Sequence, residues 1–210
     1  MLKDLLKRIP GAEKFAGLLE FLPWAARNRQ ILLEMLPKNS VCAEVGVHRG
    51  DFSARVLKVV NPKEFHLIDP WRYEESNTYK AALYGGKARG GQAEMDERCE
   101  SVQRRFDPEI RSGRVVIHRD NSNTILGKFP DGYFDWIYID GNHLYEFVRQ
   151  DLALSFQKTK PGGYLTGDDY QAEGWWEGGV KKAVDEFVRS KSVQLASTDD
   201  GQFVLRKELA

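Results

Sequence analysis

A five-residue run, Val41 to Val45, opens directly onto a turn bracketed by two glycines, Gly46 and Gly50. β-Branched residues in so short a run, ended by glycine, read as a buried strand. Asp51 or Ser53 stands where a helix cap belongs, and Phe52, Val56, Leu57 and Val60 follow at helical spacing. Phe65-His66-Leu67-Ile68 is a second strand, closed by Asp69-Pro70. Strand, helix and strand in so few residues form a βαβ unit. Its strands must lie parallel with a right-handed crossover. That constraint commits the chain to an α/β sheet.

The pattern continues. Strands are expected at Val115–His118, Phe134–Ile139 and Tyr164–Thr166, the last following the turn Lys160-Pro161-Gly162-Gly163. Helices are expected at about 93–106, 145–157 and 180–188. The end reads as a hairpin: Ser192–Ala196, a turn at Asp199-Asp200-Gly201, then Phe203–Leu205. The fold class is therefore α/β, a doubly wound, Rossmann-like, mostly parallel sheet with a C-terminal antiparallel hairpin. Residues 1–39 read as an N-terminal helical cap and 40–210 as the main domain. The cap rests on Leu2, Leu5, Leu6 and Ile9, on Phe15, Leu18, Leu19 and Leu22, and on a run from Ile31 to Leu36. The glycine-rich stretch Gly85 to Gly91 reads as a mobile loop, a lid or a surface insertion.

Composition narrows the function classes. The chain holds 31 Lys plus Arg against 31 Asp plus Glu, so a general electrostatic grip on nucleic acid is not expected. No apolar stretch suits a signal peptide or a membrane span. Cys42 and Cys99 show no metal-binding spacing, and reduced thiols fit a cytoplasmic setting. The oligomeric state stays open, a homo-oligomer included.

In a doubly wound sheet, ligands bind beyond the carboxyl ends of the strands. The first such loop, Glu44-Val45-Gly46-Val47-His48-Arg49-Gly50, lacks the G-x-G-x-x-G spacing of a dinucleotide site. Strand four ends in Asp140-Gly141-Asn142-His143 and strand five in Gly167-Asp168-Asp169-Tyr170. If those strands are neighbours, Asp140, Asp168 and Asp169 converge, and three close carboxylates call for a cation or protons to offset them. Hard oxygen ligands suit Mg²⁺ or a similar divalent ion; solvated loop acids are the bland alternative. His143, three residues beyond Asp140, is placed to accept a proton near neutrality. His66 and His118 lie within strands and read as structural, and His48 as a solvent-facing loop residue. Trp175 and Trp176, in a glycine-rich loop after strand five, are placed to stack on a sugar or ring.

The E-x-G-x-x-x-G loop resembles motif I of class I S-adenosylmethionine-dependent methyltransferases. The string Asp140-Gly141-Asn142-His143, with Lys160-Pro161-Gly162-Gly163 and Asp168-Asp169-Tyr170, resembles the D-G-x-H type of small-molecule and sugar O-methyltransferases, with macrocin O-methyltransferases as relatives. The resemblance runs from about Val41 to Arg206. It implies a cofactor pocket formed by Glu44, Gly46, Val47, Gly50 and Asp140. Asp69 would take the ribose hydroxyls, and Asp120, Asn121 and Ser122 would border the adenine. It further implies Asp140, Asp168 and Asp169 as metal ligands, His143 as general base with Asp140 beside it, and a small-molecule or sugar acceptor. Macrocin-type enzymes are larger, which leaves this chain's acceptor open. Asp120 or Ser122 serving only as a helix cap is the competing local reading. Two other functions remain: a nicotinamide-dependent oxidoreductase on a similar sheet, and a non-catalytic methyltransferase-like binding module.

Overall fold

The computed structural model describes residues 24–191, 193–195 and 201–209. The leucine-rich runs before Pro23 and the Asp199-Asp200 pair lie outside the described residues. In chain order the elements are α1 (Trp24–Met35), β1 (Val41–Val45), α2 (Asp51–Val59), β2 (Glu64–Ile68), α3 (Gly91–Arg105), α4 (Asp107–Arg111) and β3 (Val115–His118). They continue with α5 (Ser122–Leu126), β4 (Phe134–Ile139), α6 (Tyr145–Lys158), β5 (Thr159–Gly167), α7 (Gly179–Ser190), β6 (Val193–Leu195) and β7 (Phe203–Lys207).

One sheet runs in the order β3-β2-β1-β4-β5-β7-β6. Strands β1 to β5 pair in parallel, and β7 pairs antiparallel with both β5 and β6. The doubly wound architecture and its closing hairpin are therefore as expected. The chain reverses its direction of winding between β1 and β4, the switch point where such sheets open a crevice.

Alternation along the strands sends side chains to two cores. Cys42, Phe65, Leu67, Trp136 and Tyr138 face one side, where Leu32 and Leu33 follow from α1 and Leu36 from just beyond it, Phe52 and Val56 from α2, and Met95 and Val102 from α3. Ala43, Val45, Ile68, Ile137 and Ile139 face the other, against Leu126, Val148, Leu152, Val184 and Phe187. Burying one such large side chain is worth roughly 1.5–3 kcal/mol. Both faces of β1 and β4 are covered, so these strands are apolar apart from Glu44 and Asp135.

Three local expectations change. Neither Asp51 nor Ser53 caps α2; Gly50 does, in a left-handed conformation at φ 73°. Strand β5 begins earlier than expected, at Thr159, with an irregular register between Phe134 and Trp136 of its partner. The glycine-rich stretch is a compact series of turns. A Cβ on Gly85 would lie 2.1 Å from the Tyr79 carbonyl oxygen, and one on Gly86 2.1 Å from that of Lys80. Those glycines permit close chain approach, and Ala88 beside them is buried.

Candidate active site

The loop after β1 is built around buried carboxylates. Glu44 is 1% exposed, and its Oε2 accepts a 2.6 Å hydrogen bond from Ser53 Oγ. Burial pushes the Glu44 carboxyl well up, with Asp140 and Asp69 adding to the rise and Ser53 opposing it. Gly46 turns at φ 91°, and a Cβ there would fall 2.0 Å from the Asp140 carbonyl oxygen. The loops following β1 and β4 thus touch backbone to backbone. Gly50 opens α2 while facing Phe106, 2.8 Å from where its Cβ would sit.

Asp69 is placed at the end of β2, as expected, and is fully engaged. Its Oδ2 accepts the amides of Val47 at 2.8 Å and His48 at 2.9 Å and the Tyr84 hydroxyl at 2.5 Å; its Oδ1 accepts the Trp71 amide at 2.7 Å. Burial raises its pKa, and these donors pull it back. Asp69 therefore ties the glycine loop to the segment after β2. Trp71, wholly buried, donates from its indole nitrogen to the His48 carbonyl at 2.9 Å. His48 is not solvent-facing: its ring lies 5.8 Å from that of Tyr84, and burial, with Arg98 and Arg49 nearby, lowers its pKa to about 4.

Beyond β3, neither Asp120 nor Ser122 caps α5. Asp120 Oδ1 accepts the Asn121 amide at 2.7 Å, Asn121 holds the N-cap position without a side-chain bond, and Ser122 Oγ donates to Asp151 Oδ1 at 2.5 Å. Burial holds the Asp151 carboxyl up at about 6 despite that bond.

At the ends of β4 and β5 the expected groups converge. His143 Nε2 lies 3.3 Å from Asp140 Oδ1 and 3.4 Å from Asp169 Oδ2. Burial would lower the His143 pKa, but the Asp140 bond and both carboxylate charges win and raise it. Asp169 is raised by burial, against the pull of His143. Its backbone takes a left-handed φ of 58°, which swings it toward β4. The rings of Trp176 and Trp175 stand 4.9 and 6.0 Å from His143, and Trp175 meets Tyr79 at 5.6 Å. Asn142 Nδ2 donates to the Tyr79 hydroxyl at 2.7 Å while its Oδ1 accepts the Leu144 amide, so the loop after β4 is clamped from both sides.

Asp168 faces elsewhere. Its Oδ2 pairs with Arg29 and its Oδ1 accepts the Gln202 amide. Arg29 Nη2 also lies 3.7 Å from Asp140 Oδ2, and the guanidinium sits 5.8 Å from the centre of the Phe52 ring. Among the described residues, the group with metal-ligand spacing is Asp140, His143 and Asp169, not the three carboxylates. A dication held by Asp140, Asp168 and Asp169 together does not fit this arrangement, because a guanidinium already neutralises two of them. Arg29, Ser53 and Gln202 are the site residues that sequence reasoning missed. Ser53 alone gave a signal, as a polar residue one turn into a helix beside a strand acid.

Comparisons with known proteins place the chain. A family model described as a methyltransferase domain matches residues 43–170. An uncharacterised protein of Acanthamoeba polyphaga mimivirus is 39% identical over 64 residues, which cover 30% of this chain and 28% of the relative. The chain thus spans less than a third of that relative's length. Among solved structures, a protein of Corynebacterium glutamicum superposes with a TM-score of 0.63 at 13% identity, over 99% of this chain and 91% of that one. The O-methyltransferase TomG of Streptomyces achromogenes, solved with S-adenosylmethionine, gives 0.56 at 15% identity, over 87% of this chain and 78% of that one. At such identities the likeness is one of fold. With the family match across the glycine loop, the β4 acid and the β5 acids, the chain belongs to the methyltransferase-domain family and carries the fold of S-adenosylmethionine-dependent methyltransferases.

Proposed function

We propose that the protein transfers a methyl group from S-adenosylmethionine to a hydroxyl of a small molecule or sugar, with His143 accepting the hydroxyl proton. The observation carrying this reading is His143 itself. Its Nε2 lies between Asp140 and Asp169 at the mouth of β4 and β5, and the backbone after β4 touches the glycine loop that resembles the cofactor-binding motif I. Methyl transfer from a sulfonium is an in-line displacement, so the protein's task is to align donor and acceptor and to remove a proton. Asp140 and Asp169 face Nε2 and take its hydrogen, which orients the imidazole, leaves Nδ1 as the nitrogen to accept the hydroxyl proton, and favours the charged form once that proton arrives. Trp175 and Trp176 border the same histidine and offer flat apolar faces to an acceptor ring. Gly46, Val47 and Gly50, with Asp120 to Ser122, form the cofactor side, and the buried Glu44 and Asp69 hold that loop in shape through Ser53 and the amides of Val47 and His48. Arg29 and Gln202 already engage Asp168, so the expected set of Asp140, Asp168 and Asp169 is not free to hold Mg²⁺ together.

Calorimetry with S-adenosylhomocysteine and with NAD tests the donor, and mass spectrometry of hydroxyl-bearing acceptors incubated with S-adenosylmethionine tests the transfer. Binding of S-adenosylhomocysteine and a gain of one methyl on oxygen are expected. Binding of NAD alone would assign an oxidoreductase, and cofactor binding with no transfer across sugars and phenols would assign a non-catalytic binding role.

A further inference from the structure

The carboxylates at the ends of β4 and β5 are joined by a cation that comes from outside the family-matched region. Arg29 lies on α1, upstream of residues 43–170. Leu32 and Leu33, three and four residues on, are wholly buried, which fixes the helix and therefore the direction of Arg29. Its guanidinium pairs with Asp168, approaches Asp140, and rests against the Phe52 ring. Gln202 braces Asp168 from the other side and accepts in turn from the Tyr138 hydroxyl at 3.3 Å. Arginine suits this place. It stays charged, is weakly hydrated, and presents several donors in a rigid plane.

We propose that Arg29 is a tethered cation that holds Asp140 and Asp168 in the manner of a divalent ion. The N-terminal helix then belongs to the active site. This rests on the reading above only in taking the Asp140–His143 pair as the transfer centre. Arg29 is a positioning residue: it fixes Asp140, which in turn orients His143. A dication and the guanidinium compete for the same oxygens, so removing the positive charge frees Asp140 and Asp168 together for a cation that Arg29 otherwise excludes.

Terbium, a luminescent stand-in for hard cations, tests this directly, with Trp175 and Trp176 as nearby sensitisers. It is titrated into the full chain, Arg29→Gln, Arg29→Lys and the double variant Arg29→Gln/Asp168→Asn. Arg29→Gln is expected to bind roughly tenfold or more tightly than the native chain, because a unit positive charge has left the carboxylates. Arg29→Lys should stay near the native value, and the double variant should lose the gain. Coincident titrations of the native chain and Arg29→Gln overturn the proposal. So does a gain in Arg29→Lys equal to that in Arg29→Gln, or a gain undiminished in the double variant. Where transfer is observed, native activity should persist in excess chelator; its loss, with restoration by Mg²⁺, also overturns the proposal. Failure of the native chain to bind S-adenosylhomocysteine would remove the functional reading and leave the terbium result to decide the role of Arg29.

Discussion

Two histidine clusters in this protein show how surroundings decide what one residue type can do. His66 is a buried residue of β2. Its Nδ1 lies 2.9 Å from His118 Nε2 and its Nε2 2.8 Å from Glu64 Oε1, which also accepts the Tyr133 hydroxyl at 2.8 Å. Edges of Phe129, Tyr133 and Phe134 meet the His66 ring at 4.8 to 5.9 Å. Burial lowers the pKa of His66 despite Glu64, and burial with the neighbouring His66 lowers that of His118 to about 4. His143 is half-buried; two carboxylates face its Nε2 and its pKa rises. Its Nδ1 is buried without a hydrogen-bond partner. The hydrogen bonds of the first cluster hold the sheet; in the second, Nε2 is engaged by the carboxylates and Nδ1 is left without a partner.

The contrast can be broken by mutation. His143→Ala is expected to cut methyl transfer by about 10²–10⁴-fold, the usual worth of a positioned general base. Calorimetry should show S-adenosylhomocysteine binding retained. An unchanged rate would remove the functional side of the comparison. His66→Ala should do the reverse. It leaves a cavity and strips partners from Glu64 and His118, costing about 2–3 kcal/mol in urea unfolding, while turnover per folded molecule stays constant.

Acid sharpens the same contrast. His118 is depressed to about 4, below its ordinary value near 6.5, so between those two values the unfolded chain binds more protons than the folded one. Its contribution to stability is complete above about pH 6.5 and is lost as pH falls toward 4. The urea midpoint is therefore expected to drop between pH 7 and pH 5, and His118→Gln should flatten that slope. A slope unchanged in the variant would show that other groups carry it. The smallest effect is spectroscopic. Imidazole proton shifts followed against pH should place the His143 midpoint above 6.5 and that of His118 near 4. A reversed order would contradict the electrostatic account.

The backbone of this arrangement was legible before any coordinates. The β-branched run at 41–45, the glycine turn and Asp69-Pro70 specify a parallel pair through local chemistry. The neighbouring positions of β4 and β5 follow from the doubly wound order. That rule was enough to bring Asp140, His143 and Asp169 together. It did not show that Asp168 turns aside, because its partner Arg29 is 139 residues away and sits on a helix with no local motif to mark it. The short helices α4 and α5 span five residues each, too few for a 3.6-residue period to appear. Gly85 and Gly86 read as slack because glycine that permits motion and glycine that permits contact look alike in a sequence. The full engagement of Asp69 was hidden for a related reason: Tyr84, which donates to it, reaches back across a connection whose path no periodicity reveals.

The missing methyl at position 46 has a consequence for how this protein could change over time or in the laboratory. With the Asp140 carbonyl lying where a Cβ would stand, the loop after β1 and the loop after β4 share a single wall. A library that varies one loop while keeping the other will be dominated by clashes, whereas paired variation of 44–50 with 140–143 samples compatible shapes. On the proposed function, a change in donor preference is therefore expected to drag acceptor preference with it.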